Sequence, residues 1–265
     1  MKILVANIAA AEDGKEGGRF VREYLGPLTR RNMEAVGCGF KIVQSISQNG
    51  HVHPAFADCK YLPKLDPEGI YPALLRAQEE SYDGAIIGCF GDPALGRARE
   101  ALQLPVVGFG EAAMLAAMMM GRKFGIVAPA DVLVESTIEQ VASYGWDSRL
   151  VGVVATTELP PEQELALVDA SNAIRHFQAA ARELVRRGAD VVIPGCGLLS
   201  IALRLAPGVE HLWPDGVREI DGVPVVDVLG ASVGMLHTLI RETEHRKGKK
   251  SIVSIVHDSD SLWLF

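Results

Sequence analysis

The chain has 265 residues, with 26 Lys and Arg against 33 Asp and Glu, a formal net charge of -7 and a pI near 5.5. That balance gives neither nucleic acid nor anionic lipid an electrostatic reason to bind, so a small molecule is the expected ligand. The length suffices for one large domain or two compact lobes with a full core.

Taken in chain order, the opening MKILVANIAA meets Glu12 and Asp13 too soon for an export signal, which points to a cytoplasmic protein. Short Ile/Val-rich runs then alternate with longer helical patterns. Strands are expected at Ile3–Asn7, Lys41–Ser45, Ala85–Gly88, Val106–Gly108, Gly125–Ala128, Arg149–Val154, Val191–Pro194 and Val225–Val228. Helices are expected at Gly69–Glu80, Pro93–Leu102, Asp131–Tyr144, Asp169–Arg187 and Ala231–Arg241. The apolar stretch Ala112–Met120 is too short for a membrane span and reads as a buried helix, its methionines included. Alternation of this kind builds parallel α/β sheets covered on both faces.

An internal repeat organises these elements. YDGAIIGC, ending at Cys89, reads against ADVVIPGC, ending at Cys196. PVVGFGEAA from Pro105 echoes PVVDVLGAS from Pro224, and the strand KILVAN echoes KFGIVAP. Two copies of one unit predict two pseudo-symmetric lobes, with ligand at the carboxyl ends of the strands in the cleft between them. The expected division is 1–115 plus 233–265 for the lobe carrying Cys89, and 116–232 for the lobe carrying Cys196.

Cys38, Cys59, Cys89 and Cys196 show no CxxC spacing, so neither a disulfide framework nor a structural zinc site is indicated. Cys38 and Cys59 read as packing residues. Cys89 and Cys196 each close a strand beside glycines, and helix N-termini near Pro93 and Leu198 are expected to lower their pKa values. Racemising a carbon acid needs a base on one face and an acid on the other, which two opposed thiols supply. The amides of Phe90, Gly91, Gly197 and Leu198 are candidate donors to the substrate and its enolate.

The segment GCFGDPALGRAREALQLPVVGFGEAA, Gly88 to Ala113, resembles the corresponding stretch of hydantoin racemases in the Asp/Glu/hydantoin racemase superfamily. PGCGLLS at Pro194 and the later PVVD are similar to the family's second cysteine motif and the strand after it. The resemblance implies two Rossmann-like lobes with four parallel strands each, and cofactor-free proton transfer by Cys89 and Cys196 without a metal. It also implies a homo-oligomer. Two departures bear on the substrate: an Asn-Pro-Asn-Thr type turn is replaced by Asn7-Ile8-Ala9-Ala10, leaving Asn7 as its one match, and Gly195-Cys196-Gly197-Leu198-Leu199 stands for the usual Gly-Cys-Ala-Gly-Met. A 5-substituted hydantoin, allantoin or an amino-acid-like molecule is the expected substrate. Maleate isomerase-like or arylmalonate decarboxylase-like chemistry and a non-catalytic two-lobed binding protein are the alternatives.

Other residues read as structural. His51 and His53 mark a polar loop, one that could also close over substrate. Asp92 reads as the N-cap of a helix with Pro93 at its first position, and Glu111 as a carboxylate favoured at a helix start. Thr156 and Thr157 suit either a turn or a ligand contact. The apolar tail Ser251–Phe265 needs cover, which is a second reason to expect an oligomer.

Overall fold

The computed structural model describes residues 2–7, 31, 41–46, 67–156 and 166–246. Cys38, Cys59, His51, His53, Thr157 and the tail from Ser251 lie outside them. Strands β1 (Lys2–Asn7), β2 (Lys41–Ile46), β3 (Gly84–Ile87) and β4 (Val106–Gly108) form a parallel sheet in the order β2-β1-β3-β4. Strands β5 (Phe124–Ala128), β6 (Leu150–Ala155) and β7 (Val191–Pro194) form a second parallel sheet in the order β6-β5-β7. A small antiparallel pair, β8 (Glu219–Ile220) with β9 (Val223–Pro224), follows.

The helices are α1 (Pro67–Glu79), α2 (Leu95–Ala101), α3 (Phe109–Met120), α4 (Val134–Ser143), α5 (Ser171–Arg186), α6 (Gly197–Leu205) and α7 (Val228–Arg246). None of the described helices is long and apolar enough to cross a membrane.

The expectation of four strands in each sheet holds for the first and needs correcting for the second, which has three among the described residues. The run Val225–Val228 makes one parallel bridge, Val225 to Val192, instead of a strand. Competition for its backbone explains this. The Val225 N–H is donated to the Arg218 carbonyl at 2.8 Å. Two residues later, Asp227 accepts the Gly230 N–H at 2.9 Å and starts α7 at Val228, three residues before the expected Ala231.

Side chains alternate across each strand and so feed two different cores. In β1, Ile3 and Val5 join one cluster while Leu4 and Ala6 join another. In the second sheet, Ile126, Val191 and Ile193 enter the first of these clusters, and Val127 and Val192 enter a third beneath α5 and α6. The cluster holding Ile3 and Ile126 therefore belongs to both sheets, with Met114 of α3 and Leu236 of α7 inside it. The methionine run of α3 is only partly core: Met114 is fully buried, whereas Met119 is 86 % exposed. A helix at this period turns successive residues about 100° apart, so one face cannot bury the whole run.

Candidate active site

Each repeated cysteine stands two residues beyond a buried strand, Cys89 after β3 and Cys196 after β7. The Gly88 N–H donates to the Ala6 carbonyl at 2.7 Å, and the Gly195 N–H donates to the Val127 carbonyl at 2.8 Å. Both thiol turns are thus fastened to the carboxyl end of a central strand. The turns also meet: a Cβ built on Gly197 would lie 3.5 Å from the Gly88 carbonyl oxygen and 3.0 Å from Cε2 of Phe109. A side chain at position 197 would press on the Phe109 ring and reach ordinary contact with the Gly88 carbonyl.

Cys196 occupies the N-cap position of α6, where the neighbouring Leu199 and Leu198 amides act to lower its pKa. Burial nevertheless dominates and holds this thiol above its ordinary pKa. Cys89 is pushed up to about 12, first by burial and further by the charges of Asp92 and Cys196, against a lowering by the Gly91 amide. The expected downward shifts are therefore reversed in this state. The helix after Cys89, α2, begins at Leu95, two residues beyond the expected Pro93.

Asp92 is also not the cap of the helix after it. It adopts a left-handed φ of 49°, and Ala94, with φ 62°, stands at the start of α2. The Asp92 carboxylate crosses to α3, where it accepts the Gly110 N–H at 2.9 Å and the Glu111 N–H at 2.6 Å. The Tyr144 hydroxyl donates to it at 2.7 Å and Gln140 Nε2 at 3.3 Å. Gln140 Nε2 also donates to the Phe90 carbonyl at 2.6 Å.

Comparison with known proteins places the chain in a family. The family model described as Asp/Glu/Hydantoin racemase matches residues 53–253. The chain belongs to this family. A hydantoin racemase from Pseudomonas sp. (strain NS671) is 26 % identical over 204 residues, 74 % of this chain and 74 % of that protein. A hydantoin racemase from Paenarthrobacter aurescens is 30 % identical over 169 residues, 62 % of this chain and 65 % of that protein. The fold matches an allantoin racemase from Pseudomonas fluorescens with a TM-score of 0.67 at 23 % identity, covering 91 % of this chain and 92 % of that one. An allantoin racemase from Klebsiella pneumoniae gives 0.66 at 22 % identity, covering 91 % and 88 %.

The other candidates of this racemase-family chain fall as follows. Asn7 ends β1, one residue past the Ala6 that anchors the Cys89 turn, so its backbone lies at the same sheet edge. The Gly91 amide acts to lower the pKa of Cys89, and the Leu198 amide that of Cys196. The Phe90 ring is buried in the core shared by the two sheets. Thr156 takes the turn role, its buried hydroxyl donating to the Pro129 carbonyl at 2.9 Å. Glu111 pairs with Arg99 through two contacts of 2.8 and 2.5 Å. Reading the sequence did not find Phe109, Gln140 or Tyr144, because none lies near either cysteine in the chain and only the folded backbone brings them there.

Proposed function

We propose that the chain is a cofactor-independent racemase that moves a proton between Cys89 and Cys196 through a small carbon acid. The abutting Gly-Cys turns are the observation that carries this reading. They support a ligand held between the thiols, in the cleft between two pseudo-symmetric lobes. The substrate in this reading is a 5-substituted hydantoin, allantoin or an amino-acid-like molecule, and the hydantoin racemases among the relatives support the first of these.

One cysteine, as thiolate, takes the proton from the acidic carbon, and the C–H electron pair passes into the adjacent carbonyl as an enolate. The opposite thiol then gives its proton to the other face of that carbon. The product leaves with inverted configuration, and the S–H and S⁻ roles of the two cysteines are exchanged. Backbone amides at Phe90, Gly91, Gly197 and Leu198 stabilise the enolate or the thiolate as charge moves. Because burial raises both thiols, the neighbouring amides and the bound substrate must favour ionisation of one.

The test is hydrogen exchange in D₂O over a panel of hydantoins, allantoin and amino acids, with parent, Cys89→Ser and Cys196→Ser. Neither variant should racemise, and each should wash deuterium into one enantiomer with retention, since abstraction and return need a single base. Racemisation by Cys89→Ser near the parent rate refutes the mechanism. Ligand binding by the parent with no exchange on any substrate would favour a binding module.

A further inference from the structure

The two copies of the repeat cap their following helices differently. In the second copy Asp227 caps α7 with its own carboxylate. The matching position of the first copy is Gly108, an N-cap residue with no side chain to offer. The missing carboxylate is supplied through space by Asp92, from the turn that carries Cys89.

The glycines around it make room. A Cβ on Gly108 would lie 2.2 Å from Asp92 Oδ1, and one on Gly110 would lie 2.1 Å from the Phe90 carbonyl oxygen. Helix α3 starts at Phe109, whose ring is the group that rests against Gly197. Asp92 and the Cys196 turn thus grip neighbouring residues of one helix start. A second tie runs through Gln140 and Tyr144, in and just after α4, a helix that packs on β6 of the sheet carrying Cys196.

We propose that Asp92 is the positioning residue of the site: its carboxylate straps the Cys89 turn to α3 and α4 and thereby sets the spacing between the two thiols. This rests on the two-thiol reading above. The left-handed backbone at Asp92 and Ala94 fits such a role, since unfavourable φ values in non-glycine residues persist where surrounding contacts over-determine them. The titratable and charged groups facing the carboxylate are Tyr144, Glu111 with its partner Arg99, and Cys89.

Inversion depends on the placement of both thiols, whereas exchange with retention depends on one. Loosening the strap should therefore separate the two rates, which a loss of folded protein would lower together. Asp92→Asn, which leaves no carboxylate to accept from both amides and Tyr144, should cut racemisation about 100-fold, as expected for a displacement near 1 Å. Deuterium wash-in with retention should fall far less. Iodoacetamide labelling of Cys89 relative to Cys196, read by mass spectrometry, should rise as the turn loosens and needs no substrate. Tyr144→Phe removes one donor and keeps the α3 cap, so it should shift both ratios in the same direction by less, and it serves if Asp92→Asn folds poorly.

Racemisation and exchange falling in equal proportion, with unchanged relative labelling of Cys89, would overturn the proposal. A parent protein that neither racemises nor exchanges any of the panel would instead sink the two-thiol reading, and the labelling ratio would still report on the strap.

Discussion

Burial pushes the Asp92 carboxyl up to about 7, against lowering donations from Tyr144, Glu111 and Gly110. The sign of the consequence follows from linkage. In the unfolded chain the carboxyl titrates near 4, so between about pH 4 and 7 the folded protein binds more protons than the unfolded one, and stability falls as pH rises through that window. Urea unfolding at pH 5 and pH 8 should show this decline, on the order of a few kcal/mol at most. Asp92→Asn should lack that component of the slope even though its stability is lower overall. A parent whose stability changes with pH as the variant's does would contradict the buried, proton-holding carboxyl.

The contrast between the two helix caps decides what happens at the level of elements. Asp227 caps α7 and also faces Arg204 at 3.4 Å and Arg218 at 3.8 Å. Asp227→Ala should cost about 1–2 kcal/mol from the cap, and more because the largely buried Arg204 loses its carboxylate. Asp227→Asn keeps a capping oxygen and should recover the first part, which separates the two contributions in denaturant titrations. Helix α3 has no such residue of its own, and the chain around Asp92 shows why this escaped a linear reading. Asp-Pro looks like a local helix start, and nothing local reveals that a carboxylate will serve amides brought near it only by the sheet between them. The strand run at Val225 failed for a related reason: an apolar β-branched run has a strand's propensity, but here its backbone groups were claimed by the hairpin and by the α7 cap.

Across the whole molecule, one apolar cluster joins Ile3, Val5 and Ile86 of the first sheet to Ile126, Val191 and Ile193 of the second. Met114, fully buried within it, touches the stability of both. Met114→Ala should cost about 2–5 kcal/mol and should move a single unfolding transition, seen alike by far-UV circular dichroism and tryptophan fluorescence. Two separated transitions would show that the sheets unfold independently despite the shared cluster.

The sequence alone determined the parallel α/β class, seven of the nine described strands, the family, and the pair of cysteines that end matching strands. These rest on local information: the period of apolar residues, glycines at strand ends and a motif repeated within one chain. Tertiary structure alone decided that burial outweighs the neighbouring backbone amides at both thiols, that the fourth strand of the second sheet shrinks to one bridge, and that Asp92 reaches α3 instead of its own helix. Each of these depends on which groups exclude water from a site or compete for one backbone hydrogen bond, and such neighbours are set by the packing of segments far apart in the chain.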